Sequence, residues 1–338
     1  MNILKFLLKV SFFGKNKFNI NCDIDKKNII LLDTSIGSDN LGDSIIMDYI
    51  VKHFSMMNSE ITMHIPTHIC DEKKWKQLKK DDNRIKILCG TNLLYGNMFH
   101  EYNLAYPTDI RKLNNCCLCG VGWGRYEDKI NTFTRQFLKY MLNNSSIHSV
   151  RDSYTLKKLE SIGINNVVFT SCPSMWNLTP DFCKDISPRK SNIVVTTVTD
   201  YCKDVENDKF MLDFLLNHYD EVAIWIQGRG DYSYLSTLKD IKQFKILSSL
   251  EDFDNYLKKR PDYVGTRLHA GIRALNFKCR SLIISVDNRA KEISKDTCLP
   301  IIERNYIKSQ LEDRIYANTR TEICIPQENI DIWKSQFK

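Results

Sequence analysis

Apolar residues recur along this chain in two registers. Short unbroken runs rich in Ile, Val and Leu alternate with longer stretches in which apolar positions return every three or four residues. The runs at 28–34, 61–66, 85–90, 116–122, 146–152 and 166–171 predict strands in the first half. Those at 192–198, 221–227, 244–249, 263–266 and 281–287 predict strands in the second. Between them, 41–57 reads as a helix with Ile45, Ile46, Tyr49, Ile50 and Phe54 on one side. Further helices are expected over 133–142, 153–163 (closing on Gly163), 208–219, 250–260 and 268–277. The stretch 179–192 has two prolines and little apolar periodicity, so it reads as a linker.

Strand–helix alternation on both sides of that linker predicts α/β architecture: two Rossmann-like domains, 1–185 and 186–338, facing a cleft. Strands of such sheets are buried on both faces and deliver ligand-binding side chains at their carboxyl ends. Chemistry is therefore sought just after each strand, with the main site expected in the cleft.

Composition narrows the classes. The chain has 338 residues, 43% of them hydrophobic, which is globular rather than disordered or low-complexity. Lys and Arg exceed Asp and Glu by 48 to 41, a net +7 that suits an anionic ligand. No block of like charge resembles a nucleic-acid-binding arm, so no nucleic-acid partner is expected. The twelve cysteines are scattered and many lie in apolar runs. They read as buried free thiols in a reducing compartment. The C-x-x-C at Cys116–Cys119 lacks a second ligand pair at zinc spacing, so no metal site is assigned. The N-terminal segment 1–18 is basic and amphipathic, with Lys5 and Lys9 on one face and Ile3, Leu7 and Val10 on another. It is too short to span a bilayer. It reads equally as an arm docked on the protein itself and as an interfacial helix making peripheral contact with an anionic membrane. A cytoplasmic protein is expected, with the inner face of the plasma membrane as the place of any such contact.

Five constellations follow strands. In 33–45, Gly37 and Gly42 precede a helix expected to start near Asp43, which would cap it. In 119–128, Gly120, Gly122 and Gly124 lead to Arg125. Their small size serves close packing or ligand contact equally. In 149–163, Arg151 and Asp152 stand at a strand end, where an arginine can fork onto a carboxylate or phosphate or simply pair with its neighbour. The sharpest is 262–277, where an apolar strand runs into Gly265, Thr266, Arg267, Leu268 and His269. In extended backbone, Arg267 and His269 would share a face and pair an anion holder with a proton mover. The fifth, 285–292, sets Asp287 beside Arg289. For a sugar, Gln227 and Arg229 after the strand at 221–227 are candidate contacts, and Trp123, Trp176 and Trp225 could stack on one.

Taken together, N-L-G-D at 40–43, V-R-D-S at 150–153, G-T-R-L-H-A at 265–270 and D-N-R at 287–289 resemble the polysaccharide pyruvyltransferase family in type and order. The resemblance spans roughly residues 28–302. It implies a fold similar to the two-domain GT-B glycosyltransferases. It also implies transfer of a pyruvyl group from phosphoenolpyruvate to a sugar of a cell-surface polysaccharide or its lipid-linked precursor, forming a ketal. By position, His269 matches the family's catalytic histidine, and Arg267 and Arg151 the arginines that hold the donor. Asn40, Gly42 and Asp43 fall in the N-terminal signature, and Asp287 matches the family acid. Arg289 stands where lysine is usual. Thr266, Gly122, Arg125, Gln227 and Arg229 complete the expected substrate-binding set. Cys172 replaces an acid that many members carry, and the run at 119–124 departs from the usual triple glycine. No cofactor is implied beyond phosphoenolpyruvate as donor substrate. Two other readings are weighed: a GT-B-type glycosyltransferase using a nucleotide sugar, and a catalytically dead scaffold, which the retained Arg151, Arg267 and His269 argue against.

Overall fold

A computed structural model describes residues 24–57, 59–79, 82–100, 104–142 and 145–338. The basic segment 1–18 lies outside them, so the expectation attached to it is not addressed. The chain divides into two compact units, each built on a parallel six-stranded sheet. Of the described residues, those within 24–38, 46–173 and 326–338 form unit 1, and those within 39–45 and 174–325 form unit 2.

Unit 1 contains β1 (Asp25–Asp33), β2 (Glu60–Pro66), β3 (Arg84–Leu94), β4 (Cys116–Trp123), β5 (His148–Val150) and β6 (Val167–Phe169) in the spatial order 2-1-3-4-5-6. The interior strands are apolar on both faces because helices cover both: every residue of β4 is buried. Helix α1 (Leu41–Ser55) follows β1, and Ile45, Ile46, Ile50 and Phe54 are buried as the periodicity predicts. Two further helices matter here, α2 (Ser153–Glu160) after β5 and α3 (Gln327–Ser335) near the C-terminus.

Unit 2 contains β7 (Ile193–Thr196), β8 (Glu221–Trp225), β9 (Lys245–Leu247), β10 (Asp262–Gly265), β11 (Ser281–Ser285) and β12 (Ile301–Glu303), ordered 12-11-10-7-8-9. Counted from β7, this is the 3-2-1-4-5-6 order of doubly wound dinucleotide-binding sheets. The strand order reverses between β7 and β10, which pair in parallel through Asp262–Val194 and Tyr263–Val195. In sheets of this order, ligands bind at the carboxyl ends of the two strands flanking such a reversal.

All eleven expected strands are present; β12, only three residues long, is additional. The units are not the two contiguous halves expected with a boundary at 185. The chain leaves unit 1 after Pro173, and 326–338 returns to it. The cause is apolar: Trp333 and Phe337 pack edge-on against Phe54 of α1, with centroids 5.9 and 5.3 Å away. The Trp333 indole also donates to the Leu118 carbonyl in β4 at 3.1 Å. Among the described residues, no helix is long and apolar enough to cross a membrane.

Candidate active site

In unit 1 the site residue is Arg151, the first after β5, and it is 1% exposed. Its Nε donates to Asp152 at 3.3 Å and its Nη2 to the Asn92 side chain in β3 at 2.7 Å. Its Nη1 is buried without a hydrogen-bond partner. A buried guanidinium with an unmet donor is costly unless an anion meets it. Asp152 also caps α2, accepting from the Thr155 amide at 2.7 Å and from its hydroxyl at 2.6 Å. The plain reading of Arg151–Asp152, an ion pair plus a cap, is thus realised alongside the open donor.

The glycines of 119–124 serve packing. A Cβ on Gly122 would stand 2.2 Å from Arg151 Nη2, and one on Gly120 2.2 Å from a Pro173 ring carbon. A Cβ on Gly124 would stand 1.9 Å from the Tyr95 ring. Gly122, expected to contact substrate, instead makes room for Arg151. Arg125 is exposed and pairs with Glu127 at 3.1 Å, so its charge is spent at the surface.

In unit 2 the chain turns at Arg267. Its backbone is extended, and Leu268 begins the helix Leu268–Asn276. The two-residue spacing therefore does not give Arg267 and His269 one extended face: Arg267 precedes the helix and His269 lies in its first turn. Both are buried, 3% and 4% exposed. Arg267 is met by carboxylates, with Asp231 the principal partner and Asp200 at 3.1 Å. Its Nε also donates to the Val198 carbonyl at 3.3 Å. Burial pushes the Asp231 carboxyl above its usual range, against the opposing pull of Arg267. Arg267 is thus anchored through Nε and Nη2, while its Nη1 makes no hydrogen bond among the described residues.

The same arrangement of glycine under guanidinium recurs here. A Cβ on Gly228 would stand 2.3 Å from Arg267 Nη2, while the Gly228 amide donates to Asp231 at 2.8 Å. Tyr201, exposed, lies between two cations, with its ring centroid 5.0 Å from the Arg267 guanidinium carbon and 5.8 Å from that of Arg289. Arg289 donates to the Tyr201 hydroxyl and to Asp287 at 2.5 Å. Burial works against the Arg289 charge, but Asp287 and Tyr201 hold its pKa up. Asp287 in turn caps the helix that starts at Asn288.

The N-L-G-D segment belongs to this unit. Asn40, not Asp43, caps α1: its side chain accepts from the Gly42 amide at 3.0 Å and from Gln227 Nε2 at 2.7 Å. Leu41 donates to the Gln227 carbonyl at 3.0 Å, and Asn40 pairs with Gly228 as an isolated antiparallel bridge. A Cβ on Gly42 would stand 2.8 Å from Gln227 Nε2, which explains that glycine. Gln227 Oε1 is buried and has no hydrogen-bond partner. Asp43 is buried in the first turn of α1. Thr266 is turned inward, its hydroxyl 2.8 Å from that of Thr199 and 3.2 Å from the Thr197 carbonyl, so it is a strand-to-strand tie. Arg229, 84% exposed at its side chain, lies at the surface with Asp39 4.0 Å away.

The three tryptophans proposed for stacking are core residues. Trp123 donates to Glu127 at 2.7 Å, and Trp225 stacks on Phe253 at 4.2 Å and donates to Ser249. Trp176 is 3% exposed. Cys116, Cys117 and Cys119 are buried in β4, and burial pushes the first two thiols up to about 12. Among the described residues, no group of three or more His, Cys, Asp or Glu is arranged to hold a metal.

Sequence reading missed Asn92, Asp200, Tyr201 and Asp231. Asp200 and Tyr201 stand shortly after β7, at the strand-end position already used to choose candidates. Asp231 carried no such signal, because its partner is 36 residues away.

Two doubly wound parallel sheets, each with an arginine buried over a glycine at its strand ends, define a two-unit α/β protein of the ligand-binding kind. Residues 40–288 match the family described as polysaccharide pyruvyl transferase, and the chain belongs to that family. It is accordingly a transferase whose general activity is pyruvyl transfer to polysaccharide. Among solved structures, a complex of S. aureus MnaA with UDP is similar at 12% identity and a TM-score of 0.48, covering 88% of this chain and 91% of that one. A UDP-N-acetylglucosamine 2-epimerase is similar at 8% identity and a TM-score of 0.46, covering 93% and 95%. A search of curated protein sequences finds no significant match.

Proposed function

We propose that the protein transfers the pyruvyl group of phosphoenolpyruvate to a sugar of a polysaccharide or its lipid-linked precursor, closing a pyruvate ketal. The observation that carries the reading is Arg151: a buried guanidinium whose Nη1 has no partner. It supports an anionic substrate, and family membership supports a pyruvyl donor. Phosphoenolpyruvate offers a carboxylate and a phosphate, either of which can accept from that donor. In the reaction, C3 of the enol takes a proton as one sugar hydroxyl attacks C2. A second hydroxyl of the same sugar then attacks C2 as phosphate leaves with the C2–O bond electrons; of the two hydroxyl protons, one replaces the proton delivered to C3 and the other departs with phosphate. His269 is the proposed acid for C3. Arg151 is proposed to hold the donor and stabilise charge on the departing phosphate. Arg267, with both carboxylates on it, is proposed to position the loops after β7, β8 and β10 rather than to grip the donor. No step of this scheme calls for a metal or a further cofactor.

The test is calorimetric titration with phosphoenolpyruvate, with a UDP-sugar in parallel. Wild type is expected to bind phosphoenolpyruvate, and Arg151→Ala to lose at least tenfold in affinity. Binding of the UDP-sugar alone, or equal binding of phosphoenolpyruvate by Arg151→Ala, would overturn the proposal. His269→Ala is expected to bind the donor normally but to release no phosphate from it with acceptor present.

A further inference from the structure

The amino-terminal ends of the unit 2 strands hold a second concentration of charge. A concavity of about 190 Å³ lies there, bordered by Arg189, Lys190, Arg260, Lys278 and Arg280. It is one strand length from Arg267, because Asp262 opens β10 and also lines the concavity.

Opposing charge is sparse. Asp262 is committed: it accepts from Arg280 at 2.5 Å and from the Tyr219 hydroxyl at 2.7 Å. Asp185, exposed, pairs with Lys278 at 3.0 Å. Asp220 acts on Lys190 electrostatically. Arg189 and Arg260 are exposed, and neither guanidinium has a hydrogen-bond or ion-pair partner among the described residues. Lys190 sits 3.8 Å above the Tyr219 ring and donates to the Ser191 carbonyl at 3.1 Å. Burial, followed by the nearby Arg280 charge, lowers its pKa although Asp262 and Asp220 pull the other way. Crowding cations in a small concavity raises the folded state's energy unless an anion enters, and two free guanidinium forks suit the tetrahedral oxygens of a phosphoryl group.

We infer that this concavity is a binding site for a phosphoryl anion, separate from the strand ends that carry Arg267 and His269. The anion is either a free phosphate or diphosphate compound or the headgroup of an anionic lipid, since both present the same oxygens. The inference does not rest on pyruvyl transfer, and its test uses no transfer assay.

The full-length protein is titrated with inorganic pyrophosphate at low ionic strength, and sedimented in parallel with phosphatidylglycerol vesicles and with phosphatidylcholine vesicles. The comparison protein is Arg189→Glu/Arg260→Glu, with Arg189→Gln/Arg260→Gln as a milder variant. Both arginines are exposed, so an unchanged melting temperature is expected. Pyrophosphate binding that falls at least tenfold in either double variant supports a free phosphoryl ligand. Selective sedimentation with phosphatidylglycerol, lost in the variants while pyrophosphate fails to bind wild type, supports a headgroup. Equal behaviour of wild type and folded variants in both assays, or no binding in either, overturns the inference. Wild-type and variant proteins share every lysine and every other arginine, so charge elsewhere on the chain cancels in the comparison.

Discussion

Gly122 lies so close beneath the guanidinium of Arg151 that a Cβ on it would stand 2.2 Å from Nη2. Arg151 is fixed from three sides, by Asn92, Asp152 and this glycine. Gly122→Ala is therefore expected to displace the guanidinium and weaken phosphoenolpyruvate binding about as much as Arg151→Lys does. The overpacking should cost about 1–3 kcal/mol of stability. Calorimetry and urea denaturation of both variants check this. An alanine variant that binds the donor like wild type would show that Gly122 does not set the position of the guanidinium.

Arg267 and Asp231 form a buried pair, 3% and 0% exposed at their side chains. Removing one partner of such a pair leaves an uncompensated buried charge, which typically costs about 3–5 kcal/mol. Asp231→Ala should pay most of that. Asp200→Ala should cost much less, because Asp200 is 32% exposed and Asp231 remains. The difference in urea midpoint between the two variants is the measurement.

His53 is buried, with its Nε2 3.1 Å from the Pro173 carbonyl, and burial lowers its pKa to about 4, with the Lys334 charge adding to the effect. The unfolded chain takes up a proton near pH 6.5 that the folded protein refuses until about pH 4. Stability should thus fall as pH drops through that window, by roughly 3 kcal/mol at its lower end, and then level off for this group. His53→Gln keeps a donor for Pro173 and should flatten the slope between pH 6.5 and 4. An unchanged slope would assign the acid sensitivity elsewhere.

Thiol reactivity should follow burial. Cys70, Cys298 and Cys324 are exposed, whereas Cys89, Cys116, Cys117 and Cys119 are buried with thiol pKa values pushed up. Iodoacetamide at pH 8 should label peptides of the first group in the native protein. It should reach those of the second only in denaturant. Rapid native labelling of Cys117 or Cys119 would contradict the burial of β4.

Much of this fold could be read in advance because its signals are local. A buried parallel strand is a short apolar run, and β4, β10 and β11 each announce themselves that way. The strand-end position of Arg151, Arg267 and His269 followed from the same pattern. What each arginine does there was not legible. Arg151 and Arg267 look alike in sequence, a basic residue after a strand. One keeps a buried donor unmet and the other is held by two acids, because Asp200 and Asp231 arrive from the ends of β7 and β8. Those partners depend on strand order, and strand order leaves no mark within a few residues. The same limit explains Trp123, Trp225 and Thr266, which sit at strand ends yet turn inward.

The return of residues 326–338 to unit 1 bears on how the protein is made. Trp333 and Phe337 seal the side of Phe54, yet they are synthesised after all of unit 2. On the ribosome, unit 2 can complete its sheet while unit 1, begun first, still exposes an apolar seam on α1. Until the last thirteen described residues emerge, that seam is the nascent chain's exposed flank and the natural landing place for a chaperone.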